Sequence, residues 1–477
     1  SEETEPGVGW YYTNWLTKLG KNPGMPTVEI GKNIADDFVE VCAKQCRGQA
    51  TTLSIVDLAE LESTVPGELK SFSIDTNEMI QNKEYKAVST ARSKTREFAQ
   101  SSRIDQIDLV HFARNMGTAE GKKLASALEG AVKYNRTGGG ISNAYGLSIY
   151  FPYKKTGNIS KAVSTYAAIG MDEEYTRCIQ EFASLELSGQ VATGTGISSL
   201  GLPQGFSGQG LMDSLLGGGG YSASPVSAGS LTDMLGGLFG GGGSSSGLSG
   251  SMLDLFMGRS MTAEKAADYI SANCFDPSQL SWKDGRIEIA PDQWELVTSL
   301  TRNVFYDNGS GFIDLGNDND FMLDGNALQG VFDGTWISID RQPVAYYYLD
   351  TIEEGDHYLI SGYVPALLNG TRVNLLLYFD DENPYGYIAG AQPVYSNGET
   401  DLEAKTMISI GAGDRLQFIC DFFDYEGNYR DSYQLGREIT LGSEVEIANT
   451  EVGTLDNCRV TYCFTDLYQQ RYWTPAL

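Results

Sequence analysis

Glu2-Glu3-Thr4-Glu5-Pro6-Gly7-Val8-Gly9-Trp10-Tyr11-Tyr12 opens the chain as a loop punctuated by proline and glycine. It carries three carboxylates and three aromatic rings. Carboxylates beside aromatic faces form a receptor for a cationic side chain, because an arginine can pair with the acid and stack on the ring. Working outward, Ile30, Ile34, Phe38 and Val41 recur at helical spacing after Pro26, which predicts a helix over about 28–46. Thr52 to Val56 reads as a short buried strand. Residues from about 85 to 116 read as helical, with Phe98, Leu109, Phe112 and Met116 on apolar faces. Tyr145 to Pro152 reads as a strand ended by proline. Strands alternating with helices over 1–187 predict an α/β unit with a mostly parallel sheet.

From about 188 to 260 the composition changes to Gly, Ser and Ala, with tetraglycine runs at Gly217 to Gly220 and Gly240 to Gly243. Such a segment buries too little apolar surface to offset its ordering entropy, so a flexible linker is expected. A weak repeat runs through it. Leu211 to Gly217 is echoed by Leu231 to Gly236 and by Met252 to Gly258. Either these are coincidences of a low-complexity tract, or they are short apolar helices that dock on a groove. Residues 261–477 open with a helix after Thr262 and continue as strands. Asn308-Gly309 between two apolar runs is a hairpin signal. Further strands are expected near 335–340, 344–350, 357–364, 371–379, 415–423 and 458–464, the pattern of a β-rich, sandwich-like domain or a barrel.

The chain has 477 residues and a net charge of -28, with a pI near 4.4. That balance repels nucleic acid and anionic membranes and suits a protein that meets cationic peptides. No run of apolar residues is long enough to span a bilayer as a helix. The seven cysteines, spread over the whole length, form no disulfide framework and read as buried thiols. With two histidines, His111 and His357, and no C-x-x-C pair, a structural zinc site is not expected.

Covalent catalysis needs a nucleophile with a base in reach. His111 lies inside an apolar helix and His357 at the start of a strand, neither beside a cysteine motif. No H-E-x-x-H or phosphate-loop pattern occurs, and the one G-x-S-x-G match, Gly243 to Gly247, falls in the Gly/Ser tract. No catalytic residue is therefore assigned within these 477 positions. The acidic tract Asn317-Asp318-Asn319-Asp320, with Asp324 beyond, lacks the spacing of a helix-loop-helix calcium site and reads as a solvated loop.

The opening loop resembles the E-E-T-E-P-G-x-G-W loop of clostripain-like cysteine peptidases. Trp15-Leu16, Ala91-Arg92-Ser93 and Gly146-Leu147-Ser148-Ile149-Tyr150-Phe151-Pro152 extend the likeness across 1–187. The resemblance implies part of a caspase-like fold, a sheet flanked by helices, in an endopeptidase that cuts after Arg or Lys with a His–Cys dyad. The family's His-Gly segment does not occur in this sequence, and the one Asp-x-Cys match, Asp456-Asn457-Cys458, lies outside the 1–187 likeness, so the dyad is expected from an upstream segment of the same precursor, and this chain alone is expected to be inactive. The resemblance further implies a pocket-side role for Glu3, Thr4 and Glu5, with Trp10 and Tyr12 as its wall. It also implies calcium activation as in some members, no other cofactor, and secretion or display at the cell surface of a bacterium. The partners it implies are a peptide or protein substrate with Arg or Lys, and the upstream segment. The rival reading is a non-catalytic cell-surface or adhesion protein with a degenerate peptidase-like domain and a β-sandwich binding module.

Overall fold

The structure is a computed structural model that describes residues 1, 3–4, 10–46, 49–100, 104–153, 159–192, 215, 262–354, 357–394 and 407–477. It is a mixed α/β fold with a mainly helical first half and a β-rich second half. In the first half, α1 (Tyr12–Lys21), α2 (Thr27–Gln45), β1 (Thr51–Val56), α3 (Leu58–Gln81) and α4 (Tyr85–Ser93) are followed by β2 (Glu97–Phe98), β3 (Gln106–Asp108) and α5 (Leu109–Asn115). Then come α6 (Ala119–Ala131), β4 (Val132–Gly138), β5 (Ser148–Tyr150), α7 (Ile159–Ala168) and α8 (Glu173–Ala192). Side-chain caps start several of these helices. Asp57 accepts from the amides of Ala59 and Glu60 at α3, and Thr118 accepts from Gly121 at α6.

Three sequence expectations need correction here. Among the described residues the sheets of the first half are small and antiparallel, not mostly parallel: β1 pairs β4, and β3 lies between β2 and β5. The helix expected over 85–116 is broken. Ala99 and Asp105 take positive φ angles of 50° and 54°, which no helix accommodates. Asp108 then restarts the helix as N-cap of α5, its carboxylate accepting from His111 N at 2.6 Å. The strand expected over 145–152 is limited to β5.

The linker expected from 188 overlaps α8, which runs through Ala192. Residues 193–261 lie outside the described residues, apart from Leu215. Of the three repeats, that leucine alone is described. It is buried against Phe305, Phe312, Phe423, Cys463 and Trp473.

The second half begins with α9 (Ala263–Ala272), capped by Thr262, then β6 (Arg286–Glu288) and α10 (Pro291–Trp294). Next come β7 (Val297–Asp307) and β8 (Gly311–Asp318), the hairpin expected at Asn308-Gly309. The strands β9 (Met322–Asp324), β10 (Ala327–Gln329), β11 (Thr335–Ile339), β12 (Gln342–Pro343), β13 (Tyr346–Glu354), β14 (His357–Leu368), β15 (Thr371–Asp380) and β16 (Tyr387–Pro393) follow. The last are β17 (Arg415–Asp424), β18 (Tyr429–Thr440), β19 (Ile447–Glu451), β20 (Cys458–Asp466) and β21 (Arg471–Trp473).

Where a sandwich-like arrangement was expected, part of this sheet closes on itself. Both β13 and β17 pair with β8 and with β14, giving a four-stranded ring β8–β13–β14–β17. The outer edges of β8 and β14 extend it into β7–β20–β21 and β15–β16. Gly316 permits the parallel contact of β8 with β13. Its φ is +93°, and a Cβ there would stand 1.8 Å from Tyr346 O.

One apolar core crosses from the first half into the second. Phe72, Tyr85, Phe112, Phe151 and Phe182 share it with Ala267, Tyr269 and Ile270 of α9 and with Leu467 and Tyr468 of the β20–β21 turn. Tyr85 stacks on Phe182 at 4.9 Å and on Tyr468 at 5.7 Å, and meets Tyr269 edge-on at 6.0 Å. Such pairs contribute about 0.5–1.5 kcal/mol each beyond their buried area. Backbone groups of the turn are satisfied across the same junction: Ser89 Oγ donates to Leu467 O at 3.1 Å, and Gln190 Nε2 donates to Tyr468 O at 2.8 Å.

Tyr468 reaches this place only because α8 carries Gly189 opposite it. A Cβ on Gly189 would lie 2.3 Å from the tyrosine ring. Gly67, in the middle of α3, has nothing within 4 Å of its virtual Cβ. Both glycines are helical, so propensity favours alanine at both by about 1 kcal/mol. Packing decides the outcome at Gly189. Gly67→Ala is expected to raise the urea midpoint, whereas Gly189→Ala is expected to lower stability by about 1–3 kcal/mol through overpacking. Equal stabilisation by both in urea unfolding would contradict the placement of Tyr468.

Candidate functional site

The opening residues lie along β1. Thr52 N donates to Thr4 O at 2.9 Å and Ser54 N donates to Ser1 O at 2.8 Å, so Ser1 to Thr4 use the edge of β1 that β4 leaves open. The Thr52 hydroxyl oxygen accepts from Glu3 N at 2.8 Å and Thr4 N at 3.1 Å. These bonds turn the Glu3 side chain inward. Its Oε2 accepts from Gly146 N at 3.0 Å, and Ser54 Oγ donates to Gly146 O at 2.7 Å. Gly146 has φ +101°, and a Cβ there would come 2.7 Å from Ser54 Cβ, so glycine alone allows this close approach.

Glu3 is 6% exposed and Asp108 is fully buried. Asp108 accepts from His111 N at 2.6 Å and from Tyr145 N at 2.5 Å. Burial, then the charge of Asp108, pushes the Glu3 carboxyl up to about 9, and burial raises Asp108 as well. Glu3 Oε1 has no donor from the rest of the protein. Two ionised carboxylates have no proton to offer each other, so the pair is held together by one shared proton and carries one negative charge at neutral pH. Such a pair can anchor a loop, and it can release its proton when a cation is brought against it.

The structure thus gathers Glu3 and Thr4 on β1 but turns the Glu3 carboxyl into the core. Thr4 lines a cavity of ≈140 Å³ together with Arg96, Asp350 and Tyr378. Glu5 lies outside the described residues. Trp10 and Tyr12 sit at the start of α1, 38% and 60% exposed. Tyr12 packs on Trp15 at 5.8 Å, and Lys18 anchors α1 to Asp37 of α2 at 2.8 Å.

Neither histidine is placed as a base beside a reactive thiol. His111 accepts from Arg96 N through Nδ1 at 2.9 Å. Burial and the charges of Arg96 and Arg114 lower its pKa to about 4, so it is neutral. His357 is exposed, with Nδ1 2.6 Å from Asp381. Burial raises the thiols of Cys46, Cys178, Cys274, Cys420, Cys458 and Cys463, which keeps these six protonated. In the acidic tract, Arg302 takes Asp318 at 2.6 Å and Asp320 at 3.1 Å, while Arg286 takes Asp324 at 2.6 Å. Among the described residues, no group of three or more His, Cys, Asp or Glu is placed to hold a metal ion.

Sequence reasoning missed the polar region where the halves meet. Arg92 is 1% exposed; it bonds Glu97 at 3.1 Å and Phe151 O at 3.2 Å, lies 3.5 Å from Asp105, and stacks over the Tyr153 ring at 4.9 Å. Arg96 reaches Ser142 O at 3.0 Å and, across the junction, Asp350 at 2.7 Å. The sequence signal was the spacing of Arg92, Arg96 and Glu97 around the end of α4, a pattern indistinguishable from a solvated helix end until the second half covers it.

No family model, no curated protein and no solved structure matches this chain.

The Glu3–Asp108 pair has a measurable consequence. A Glu3 value near 9 in the folded chain, against the ordinary 4.5, makes the folded state hold a proton that the unfolded state releases. The contribution is fully present below the ordinary value and is lost as pH rises through about 9. Glu3→Gln keeps the neutral shape and removes the ionisation. The expected result is a smaller fall in Tm between acidic and alkaline buffer for the variant than for the parent. Parallel Tm profiles would show that Glu3 is ionised in the folded protein.

Proposed function

We propose that this chain is part of a clostripain-like cysteine endopeptidase that cuts after Arg or Lys, with the thiolate and its base supplied by residues outside this sequence. In this reading residues 1–187 form part of a caspase-like sheet and its flanking helices, 188–260 a linker, and 261–477 a β-rich accessory region. The enzyme is secreted or displayed at the cell surface, which suits a chain of net charge -28 acting on cationic peptides. The observation that supports the reading is the seating of Ser1, Glu3 and Thr4: backbone bonds to β1 and a buried Glu3 carboxyl fix this part of the opening stretch in the fold. A loop held this way supports a precise pocket wall, because substrate-positioning groups act only when their own geometry is locked.

The roles divide accordingly. Glu3 sets the position of the loop from beneath, and its pair with Asp108 contributes one negative charge. Thr4, Trp10 and Tyr12 lie on the substrate side, and Glu5 is the acid that pairs the guanidinium or ammonium while an aromatic ring stacks on it. In this reading the attacking group comes from outside the sequence; among the described residues six thiols are held protonated and His111 is engaged by Arg96.

The test is reconstitution. The chain alone is expected to leave Arg- and Lys-amide substrates intact. Combined with a segment carrying a His-Gly and an Asp-x-Cys, it is expected to cut them in a reaction blocked by thiol alkylation. In the active assembly, Trp10→Ala is expected to lower kcat/KM on Arg substrates roughly 2- to 30-fold, the range of a cation–π contact of about 0.5–2 kcal/mol. Glu5→Gln is expected to lower it roughly 30-fold or more, as for loss of a paired charge. Glu3→Gln is expected to keep the Arg preference, since the acid it replaces is already neutral. Cleavage by the chain alone would contradict the assignment of the thiolate and its base to residues outside it, and the absence of cleavage after reconstitution would favour the non-catalytic surface protein instead.

A further inference from the structure

Where the two halves meet lies a polar cavity of ≈320 Å³, lined by Arg92, Lys94, His111, Thr298, Asp350 and Gln469 among others. Among the described residues, several donors that line it have no hydrogen-bond acceptor. Arg92 uses Nε on Phe151 O and Nη1 on Glu97, but Nη2, 3.5 Å from Asp105, makes no hydrogen bond. Gln469 Nε2 is buried without an acceptor. Because His111 accepts on Nδ1, its other ring nitrogen carries the proton and is a donor. Lys94 stands exposed at the mouth. Buried donors left without acceptors are costly and uncommon, so a cavity that collects several is made for a ligand rich in acceptors.

We propose that this cavity binds a small polar monocarboxylate, an α-hydroxy or α-amino acid, with its carboxylate on Arg92 and Gln469. With Nε and Nη1 already engaged, Arg92 offers one charge-assisted bond from Nη2, and Gln469 Nε2 offers a second donor to the same carboxylate. Glu97, Asp105 and Asp350 stand close to the same arginines, so a dianion such as phosphate meets repulsion that a single negative charge largely avoids. Thr298, Ser299 and Thr351 supply hydroxyls for the substituent on the α-carbon. The volume falls within the range of about 300–1,000 Å³ typical of small-molecule sites, and the polar lining excludes an apolar occupant. The walls come from both halves: Arg92, Lys94 and His111 from the first, Thr298, Asp350 and Gln469 from the second. Occupancy therefore strengthens their junction. The proposal needs no nucleophile and stands apart from the peptidase reading.

The experiment uses the full chain, with L-lactate and L-serine as probes and with glycerol and inorganic phosphate as controls, followed by calorimetric titration and thermal melts. At least one of the two carboxylates is expected to give a saturable isotherm and a concentration-dependent rise in Tm. Glycerol is expected to do neither, and phosphate to bind more weakly. Gln469→Leu, whose fold is checked by its melt without ligand, is expected to weaken binding roughly tenfold or more, as for loss of a hydrogen bond to a charged group. Arg92→Lys is expected to weaken it further. If Arg92→Lys does not fold, Gln469→Leu decides alone. The absence of binding by both carboxylates would mean that water alone fills the cavity and would overturn the proposal. Undiminished binding to Gln469→Leu, or tighter binding of phosphate, would overturn it as well.

Discussion

The fold depends on one tyrosine meeting one glycine. Tyr468, at the turn between β20 and β21, enters the helical half beneath Gly189 and stacks on Tyr85. Asp466 holds the turn in shape by accepting from the amides of Tyr468 and Gln470 at 2.8 and 2.9 Å. From that contact the rest follows. The helical half gains a lid over Phe182 and Tyr85, the β-rich half gains a fixed orientation, and the polar groups near the end of α4 are enclosed. The Arg96–Asp350 bridge and the bond from Lys86 N to Tyr269 OH at 2.8 Å close the rim of the same junction.

Enclosure has an electrostatic cost that the sequence distributes unevenly. Arg92 shares a buried region with Glu97, Asp105 and Glu186. Glu186 is pushed well above the ordinary range by burial and by Asp105. The same direction recurs elsewhere. Burial pushes Asp314 up to about 8, Asp466 to about 7 and Asp421 to about 6. Every one of these groups binds a proton more tightly in the folded state, so each contributes stability that is lost as pH rises through its folded value. The net charge of -28 acts in the same sense, because self-repulsion grows as the acids ionise.

How much of this was legible in the sequence differed by the range of the interaction. Local signals were reliable: Thr262 as a helix start, the turn at Asn308-Gly309, and the strands β11, β13, β14, β15, β17 and β20. Helical periodicity misled over 85–116, since Phe98 and Phe112 are both buried in a segment where two short strands interrupt the helix. Strand direction was not legible, because pairing partners such as β1 and β4 are separated by α3 to α6 and carry no mutual signal. In the opening loop, the acids and aromatics were visible as residue types. That Glu3 points into the core depends on Gly146 and Asp108, more than a hundred positions away. The cavity where the halves meet was invisible for the same reason: its donors come from three separate segments brought together by the seating of Tyr468.

The central claim is that the helical half and the β-rich half share one core and are stabilised together. Hydrogen exchange read peptide by peptide along a urea titration tests it most directly, comparing α3 and α8 with β7 and β20. The account predicts that the slowest amides of all four elements lose protection in one transition, with the same midpoint. Loss of protection in α3 and α8 at a distinctly lower urea concentration, while β7 and β20 remain protected, would contradict it.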